Sequence, residues 1–218
     1  MKVGEAHMGH MTQRRCGMLW DRAMLKMAEL AARDHSSCTG VLVEPGAVVA
    51  TNRHILARLE AGPLPEEEFP VTGAVRTPPG DFKPFTLEPA GLRVVTKSLM
   101  KSKTLPILNV ARMDEAEGDK VTFEVTDLEN PRTVVVRKTD TTFPKWELYI
   151  PKREPKLRIA LDVDLLVKLV GVARLAGGGD RGDLILEFTK PDEVVGVRRG
   201  GCPRFVGAIM PMTIAEGE

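Results

Sequence analysis

Apolar positions along the chain recur with two different periods. From Met18 to Arg33 the residues Met18, Leu19, Met24, Leu25, Met27, Ala28, Leu30 and Ala31 return every three to four positions, which predicts an amphipathic helix. A second predicted helix runs from about Glu88 to Lys101, with Pro89 in its first turn and Leu92, Val95, Leu99 and Met100 as its buried side. A third follows Asp162 or Asp164 as a cap and carries Leu165, Leu166, Leu169, Val170 and Val172 until Gly177, Gly178 and Gly179 stop it.

The other period belongs to strands. Val121, Phe123 and Val125 alternate with Thr122, Glu124 and Thr126, the mark of a sheet with one wet face. Further strand-like runs lie at Val41–Val43, Ala47–Thr51, Ile107–Met113, Thr133–Lys138, Leu184–Phe188, Val194–Val197 and Phe205–Ile209. Helices this sparse among so many strands predict an α+β fold, with antiparallel sheets and the helices gathered on one of their faces. A helix followed by several strands occurs three times, a repeat of about 70 residues carried by element order more than by residue identity. The Pro-rich stretch from Pro63 to Pro84 reads as a linker, and Phe143 to Pro155 as a second; both also suit loops within a domain. Taking the first as a boundary gives a reduced domain over residues 1–83 and a full one over residues 84–218.

Composition narrows the function classes. Apolar residues at 43% and charged residues at 28% predict a globular chain rather than a disordered or fibrous one. No apolar run approaches the roughly 20 residues that span a bilayer, and residues 1–15 lack the apolar centre of a signal peptide, so a cytoplasmic protein without a membrane partner is expected. Cys16, Cys38 and Cys202 lack C-x-x-C spacing and fit thiols in a reducing compartment.

A formal charge of +1 is uninformative as a total, but the distribution is not. At about 100° per residue, Arg15, Arg22, Lys26 and Arg33 fall in one stripe of the first predicted helix, blunted by Glu29. Arg93, Lys97 and Lys101 form a second row at i, i+4 and i+8. The third helix adds only Lys168 and Arg174, which do not share a face. One such stripe is ordinary solvated surface; two of them suit duplex phosphates, where binding releases counterions and needs no base contact. Trp20 and Trp146 are the only tryptophans, so stacking on single strands is the weaker expectation.

Several segments resemble the bacterial DNA polymerase III beta sliding clamp family. Phe205 to Ile214, with Met210, Pro211 and Met212, is similar to the closing strand of that family, which typically ends in Met-Pro-Met. Ala50 to Ala57 resembles the family's Ala-Thr-Asp-Gly-His-Arg-Leu-Ala turn, sharing Ala50, Thr51, His54, Leu56 and Ala57. Asn52, Arg53 and Ile55 depart from it, and loss of the Gly bears on a turn that needs positive φ. Asp140 to Pro151, containing Phe143, Pro144 and Tyr149, is similar to the segment before the family's interdomain Pro.

The resemblance implies units of the clamp fold, a reduced clamp domain before residue 84 and a clamp domain after it. It implies a ring with basic helices lining the hole around duplex DNA, and partners that include a DNA polymerase and a clamp loader. It also implies an apolar pocket for polymerase peptides, framed by Thr51, His54, Leu56, Pro151, Met210, Pro211 and Met212; Met is a soft lining for varied anchors, although Met210 and Met212 also suit ordinary core packing. The family's rings carry twelve helix-bearing units, so three units per chain imply a tetramer. A fourth unit between His35 and Pro84, with a short helix at Arg53 to Glu60, would instead imply a trimer.

Other chemistry is poorly supported. His7, His10 and Cys16, or His35 and Cys38, have no second pair at zinc spacing. Gly177 to Gly179 lack the Lys-Ser/Thr ending of a phosphate loop. Nothing assembles a nucleophile with a base and an orienter, so neither cofactor, metal nor enzyme activity is expected. Two classes remain: a processivity factor that encircles DNA, and a clamp-fold scaffold or regulator that does not close a ring.

Overall fold

The computed structural model describes residues 17–32, 38–61, 82–115, 118–176 and 182–214. The chain divides into two compact units, Met1–Pro151 and Lys152–Glu218. The division lies at Pro151 rather than at residue 83, because strands on either side of the Pro-rich stretch share one sheet: β5 (Phe85–Leu87) pairs with β2 (Val41–Glu44).

In the first unit, β1 (Gly17–Asp21) leads into α1 (Arg22–Lys26), followed by β2, β3 (Ala47–Thr51) and β4 (Leu56–Glu60). The same order then recurs: β5 leads into α2 (Pro89–Ser98), followed by β6 (Val110–Glu115), β7 (Lys120–Val125) and β8 (Arg132–Thr139). Each half is thus a strand, a helix and a three-stranded meander. The leading strands are exchanged. β1 pairs antiparallel with β6 of the second motif, and β5 pairs antiparallel with β2 of the first. The resulting order β1-β6-β7-β8-β5-β2-β3-β4 is the same four-strand pattern read twice with the motifs interchanged. Thr86↔Thr139 and Leu87↔Lys138, both within the second motif, join the two four-strand groups into one sheet.

The core explains why the first predicted helix starts late. Met18 and Trp20 are buried while Leu19 between them is half-buried, so this stretch uses the period of two and Met18 to Asp21 belong to a strand. Trp20 meets Phe123 of β7 edge-on at 5.2 Å, a geometry worth about 0.5–1.5 kcal/mol beyond burial. Asp21 then caps α1, accepting the Met24 N–H at 2.8 Å, and helical spacing begins with Met24, Leu25 and Ala28 inside. The second predicted helix ends early. Leu99 is extended and buried, so the helix stops at Ser98 and Lys101 lies beyond it. Pro106 starts a 3-10 turn over Pro106–Asn109, which delays the strand expected from Ile107 to Val110.

Arg53 to Glu60 is not a helix: β4 occupies Leu56–Glu60 and pairs with β3 through Thr51↔Leu56 to Ala47↔Glu60. The fourth unit expected there, and the trimer inferred from it, lose that support; residues 62–81 lie outside the described residues. Outward strand positions carry polar pairs, as where Arg112 of β6 meets Glu124 of β7 at 2.9 Å. In the turn before β8, the amides of Asn130 and then Glu129 bond the Asp127 carboxylate and hold its pKa below the ordinary aspartate value.

The second unit is one motif of the same kind: α3 (Val163–Leu175), then β9 (Leu184–Glu187), β10 (Val195–Arg199) and β11 (Cys202–Ile209) in the antiparallel order β11-β10-β9. Asp162 is the cap, accepting the Leu165 N–H at 2.8 Å. Arg199 donates to the carbonyls of Ala173 and Arg174 at 2.6 and 2.8 Å, which closes the helix C-terminus. Leu166, Leu169, Ala173, Val195, Val197, Phe205 and Ile209 form the core of this unit. The glycines expected to stop α3 at 177–179 lie outside the described residues.

Candidate functional site

Two sets of side chains compete for attention, and the cationic one is assembled by the α1–α2 contact. The caps Asp21 and Glu88 set the two helices in equivalent register, so Leu25 corresponds to Leu92 and Lys26 to Arg93. Both leucines are fully buried. Lys26 and Lys97 are exposed, one on each helix. Arg22 and Arg93 are half-buried and cross between the motifs: Arg93 Nη2 donates to the Ala28 carbonyl at 3.0 Å, and Arg22 Nη2 to the Met100 carbonyl at 3.3 Å. These two guanidiniums keep charge at the surface while fixing one helical segment against the other.

Among the other expected cations, Lys101 is exposed in the chain after α2. Arg15 and Arg33 lie outside the described residues. Lys168 and Arg174 are exposed on α3, in the second unit, and stand about 120° apart around it. Acidic groups nearby are Glu29, in the turn after α1, and Glu88; both are exposed.

The pocket set is divided by the chain's own organisation. Thr51, His54, Leu56 and Pro151 belong to the first unit, whereas Met210, Pro211 and Met212 belong to the second. Thr51 Oγ1 donates to the Ile55 carbonyl at 2.7 Å and accepts from the Arg53 N–H at 3.2 Å. Asn52 Oδ1 accepts from His54 and Ile55 at 3.0 Å each. These bonds hold Arg53 at φ +76°, the conformation for which the resembling family has Gly, so the turn forms without it. His54 is exposed and Leu56 half-buried.

In the second unit the last strand buries Ile209, but Met210 is 62% and Met212 55% exposed. Neither methionine is core. Met212 is fixed by its backbone alone, bridging Ala160 with an N–H to carbonyl bond of 2.8 Å.

Sequence reasoning missed a cleft of about 530 Å³ in the first unit, bounded by Glu44, Phe85, Lys138 and Trp146. Trp146 Nε1 donates to Glu44 Oε1 at 3.0 Å, Arg58 covers the Trp146 ring at 5.5 Å, and Lys138 covers Phe85 at 4.7 Å. The available signal was Trp146, one of two tryptophans, beside Phe143 and Pro144. Among the described residues there is no cluster of three or more His, Cys, Asp or Glu placed to hold a metal ion, and no helix long and apolar enough to cross a membrane.

No protein-family model and no curated protein matches this chain. Solved structures do. The DNA polymerase sliding clamp from Bacillus subtilis superposes with a TM-score of 0.61 at 18% identity, covering 94% of this chain and 52% of that one. The DNA polymerase III beta chain from Streptococcus pneumoniae gives 0.62 at 17% identity, covering 98% and 52%, and the clamp from Pseudomonas aeruginosa gives 0.61 at 13%, covering 90% and 50%. The chain spans about half the length of these structures. It is a divergent chain with the sliding-clamp fold, α+β with antiparallel sheets.

Proposed function

We propose that this clamp-fold chain is a DNA sliding clamp, a non-enzymatic processivity factor that encircles duplex DNA as a homo-oligomeric ring. Its partners are then double-stranded DNA, a DNA polymerase and a clamp loader. The observation that carries the reading is the helix pair of the first unit, on which Lys26 and Lys97 are exposed while Arg22 and Arg93 hold the helices together. A row of this kind contacts phosphates without reading bases, the contact a sliding protein needs. Lys101, Lys168 and Arg174 add exposed charge outside the row, and Arg15 and Arg33 join it by sequence spacing alone. Three motifs among the described residues, at twelve to a ring, suit a ring of four chains. The exposed Met210 and Met212, with Pro211 between them, supply adaptable apolar contacts for a polymerase peptide. Thr51, His54, Leu56 and Pro151, in the first unit, are a separate candidate set that the family resemblance implies.

A second reading is a clamp-fold scaffold that does not close. It is favoured by α3, where alignment on the Asp162 cap puts Val167 at the place of Lys26 and Arg93, so the third motif breaks the cationic row. Titration of a labelled duplex at several salt concentrations tests the leading reading. Affinity should be indifferent to base sequence and fall steeply with salt; sequence-dependent or salt-independent binding overturns it.

A further inference from the structure

None of the residues around the cleft of the first unit belongs to the cationic row or to the pocket set. The cleft lies where β5, three residues long, begins at Phe85, and where residues 140–147 run from the end of β8 to the Trp146–Glu44 bond on β2. Two aromatic rings here already hold cations of this chain. Arg58 covers Trp146, while Glu44 accepts the Trp146 N–H and lies 3.8 Å from Arg58; Lys138 covers Phe85. A ring face attracts a cation, and a carboxylate beside it holds the charge.

A third ring, Phe143, has the carboxylates but not the cation. It is half-buried, has no ring or cation contact among the described residues, and shares the cleft with Asp140 and Glu147. Both carboxylates are exposed and lack a side-chain partner among the described residues, as does Lys145 on the same rim, so two acids stand against one base. The floor adds an independent sign of a ligand. Thr139 and Thr141 bond each other at 2.8 Å, but the Thr86 hydroxyl has no hydrogen-bond partner among the described residues, although Thr86 is only 5% exposed. Its Cγ2 methyl fills the space beside Gly40, which leaves the hydroxyl for the cleft. A hydroxyl withdrawn this far from water costs free energy until something bonds it.

We propose that this cleft binds an arginine side chain presented by a partner protein, the guanidinium lying on Phe143 between Thr86 and the carboxylates of Asp140 and Glu147. A planar guanidinium stacks on a ring and carries five N–H groups, enough to bond Thr86 Oγ1 and a carboxylate together; an ammonium has no plane to stack. The guanidinium fills only part of the roughly 530 Å³, and Leu42, Pro84 and Pro144 line the remainder, so the residue beside the arginine in the partner is apolar. The proposal involves neither DNA nor ring closure, so it stands or falls apart from the clamp reading.

Titration of the full chain with the capped tripeptide Leu-Arg-Leu tests it, read by the emission of Trp146, since Trp20 is fully buried. Binding saturates with a Kd below about 1 mM. Leu-Lys-Leu binds at least about threefold more weakly, and Leu-Gln-Leu does not saturate. Asp140→Asn combined with Glu147→Gln, two exposed positions whose change leaves the fold intact, weakens the arginine peptide at least about tenfold. Thr86→Val keeps the shape without the hydroxyl and weakens it about fivefold. No saturation by about 10 mM, equal binding of the arginine and glutamine peptides, or an affinity unchanged by both sets of substitutions overturns the proposal. Saturation that appears only in Arg76→Ala would make this chain's own Arg76 the occupant and overturn it as well.

Discussion

Arg93 Nη2 donates to the carbonyl oxygen of Ala28 at 3.0 Å, tying the second motif's helix to the end of the first motif's helical segment. The Ala28 side chain is fully buried, and its carbonyl lies where the helical segment has no further turn to satisfy it. Arg93 is thus a structural cation as well as a surface one. Arg93→Ala is expected to lower stability by about 1–2 kcal/mol, the range for a partly exposed charged hydrogen bond, whereas Lys97→Ala on the next turn should change it by less than about 0.5 kcal/mol. Urea denaturation of the two variants makes the comparison.

The same contrast selects the cleanest test of the DNA row. Lys26→Glu with Lys97→Glu reverses two exposed charges without touching the Arg93 or Arg22 bonds. Duplex affinity should fall, and the slope of log affinity against log salt should shrink by about 2, near 0.9 per lost phosphate contact. An unchanged slope would show that these lysines are solvated surface only.

Arg53 sits at φ +76° in a turn held by Thr51 and Asn52 side chains. A non-glycine residue in this region costs about 1–2 kcal/mol, and glycine's extra unfolded-state entropy costs about 0.5–1 kcal/mol. Arg53→Gly is therefore expected to stabilise the first unit by about 0.5–1 kcal/mol, read as a higher denaturation midpoint with an unchanged slope.

Met210 and Met212 expose their side chains while Met212 is anchored by its backbone. Met210→Ala with Met212→Ala should leave stability within about 0.5 kcal/mol of wild type and weaken a polymerase-tail peptide at least about tenfold in calorimetry. Removing residues 211–218 should abolish that binding, and truncation after Ile214 should retain most of it. Equal binding by both shortened chains contradicts the pocket.

Much of this architecture is legible in the sequence because it is local. The Asp162 cap, the apolar face of Leu166 and Leu169, and the alternation of Val121, Phe123 and Val125 all appear where residue spacing places them. The start of α1 was obscured because Met18 and Leu19 extend a helical spacing backwards, and only pairing with Met113 and Arg112 makes them a strand. β5 has three residues and β4 mixes Arg58 and Glu60 among apolar positions, so neither shows a clear period. The exchange of β1 and β5 between motifs is a long-range pairing with no local signature. The sequence boundary at residue 83 already separates Thr51, His54 and Leu56 from Met210 to Met212, but it puts Pro151 with the methionines, whereas the shared sheet carries the first unit on to Pro151.

Ring closure is the central claim, and retention on circular DNA tests it most directly. Protein loaded on a nicked circle by its loader should survive gel filtration in high salt, and should be released once a restriction enzyme linearises the circle. Loss from intact circles under the same salt, or equal retention on circles and linear duplex, would contradict topological encirclement and leave the scaffold reading in its place.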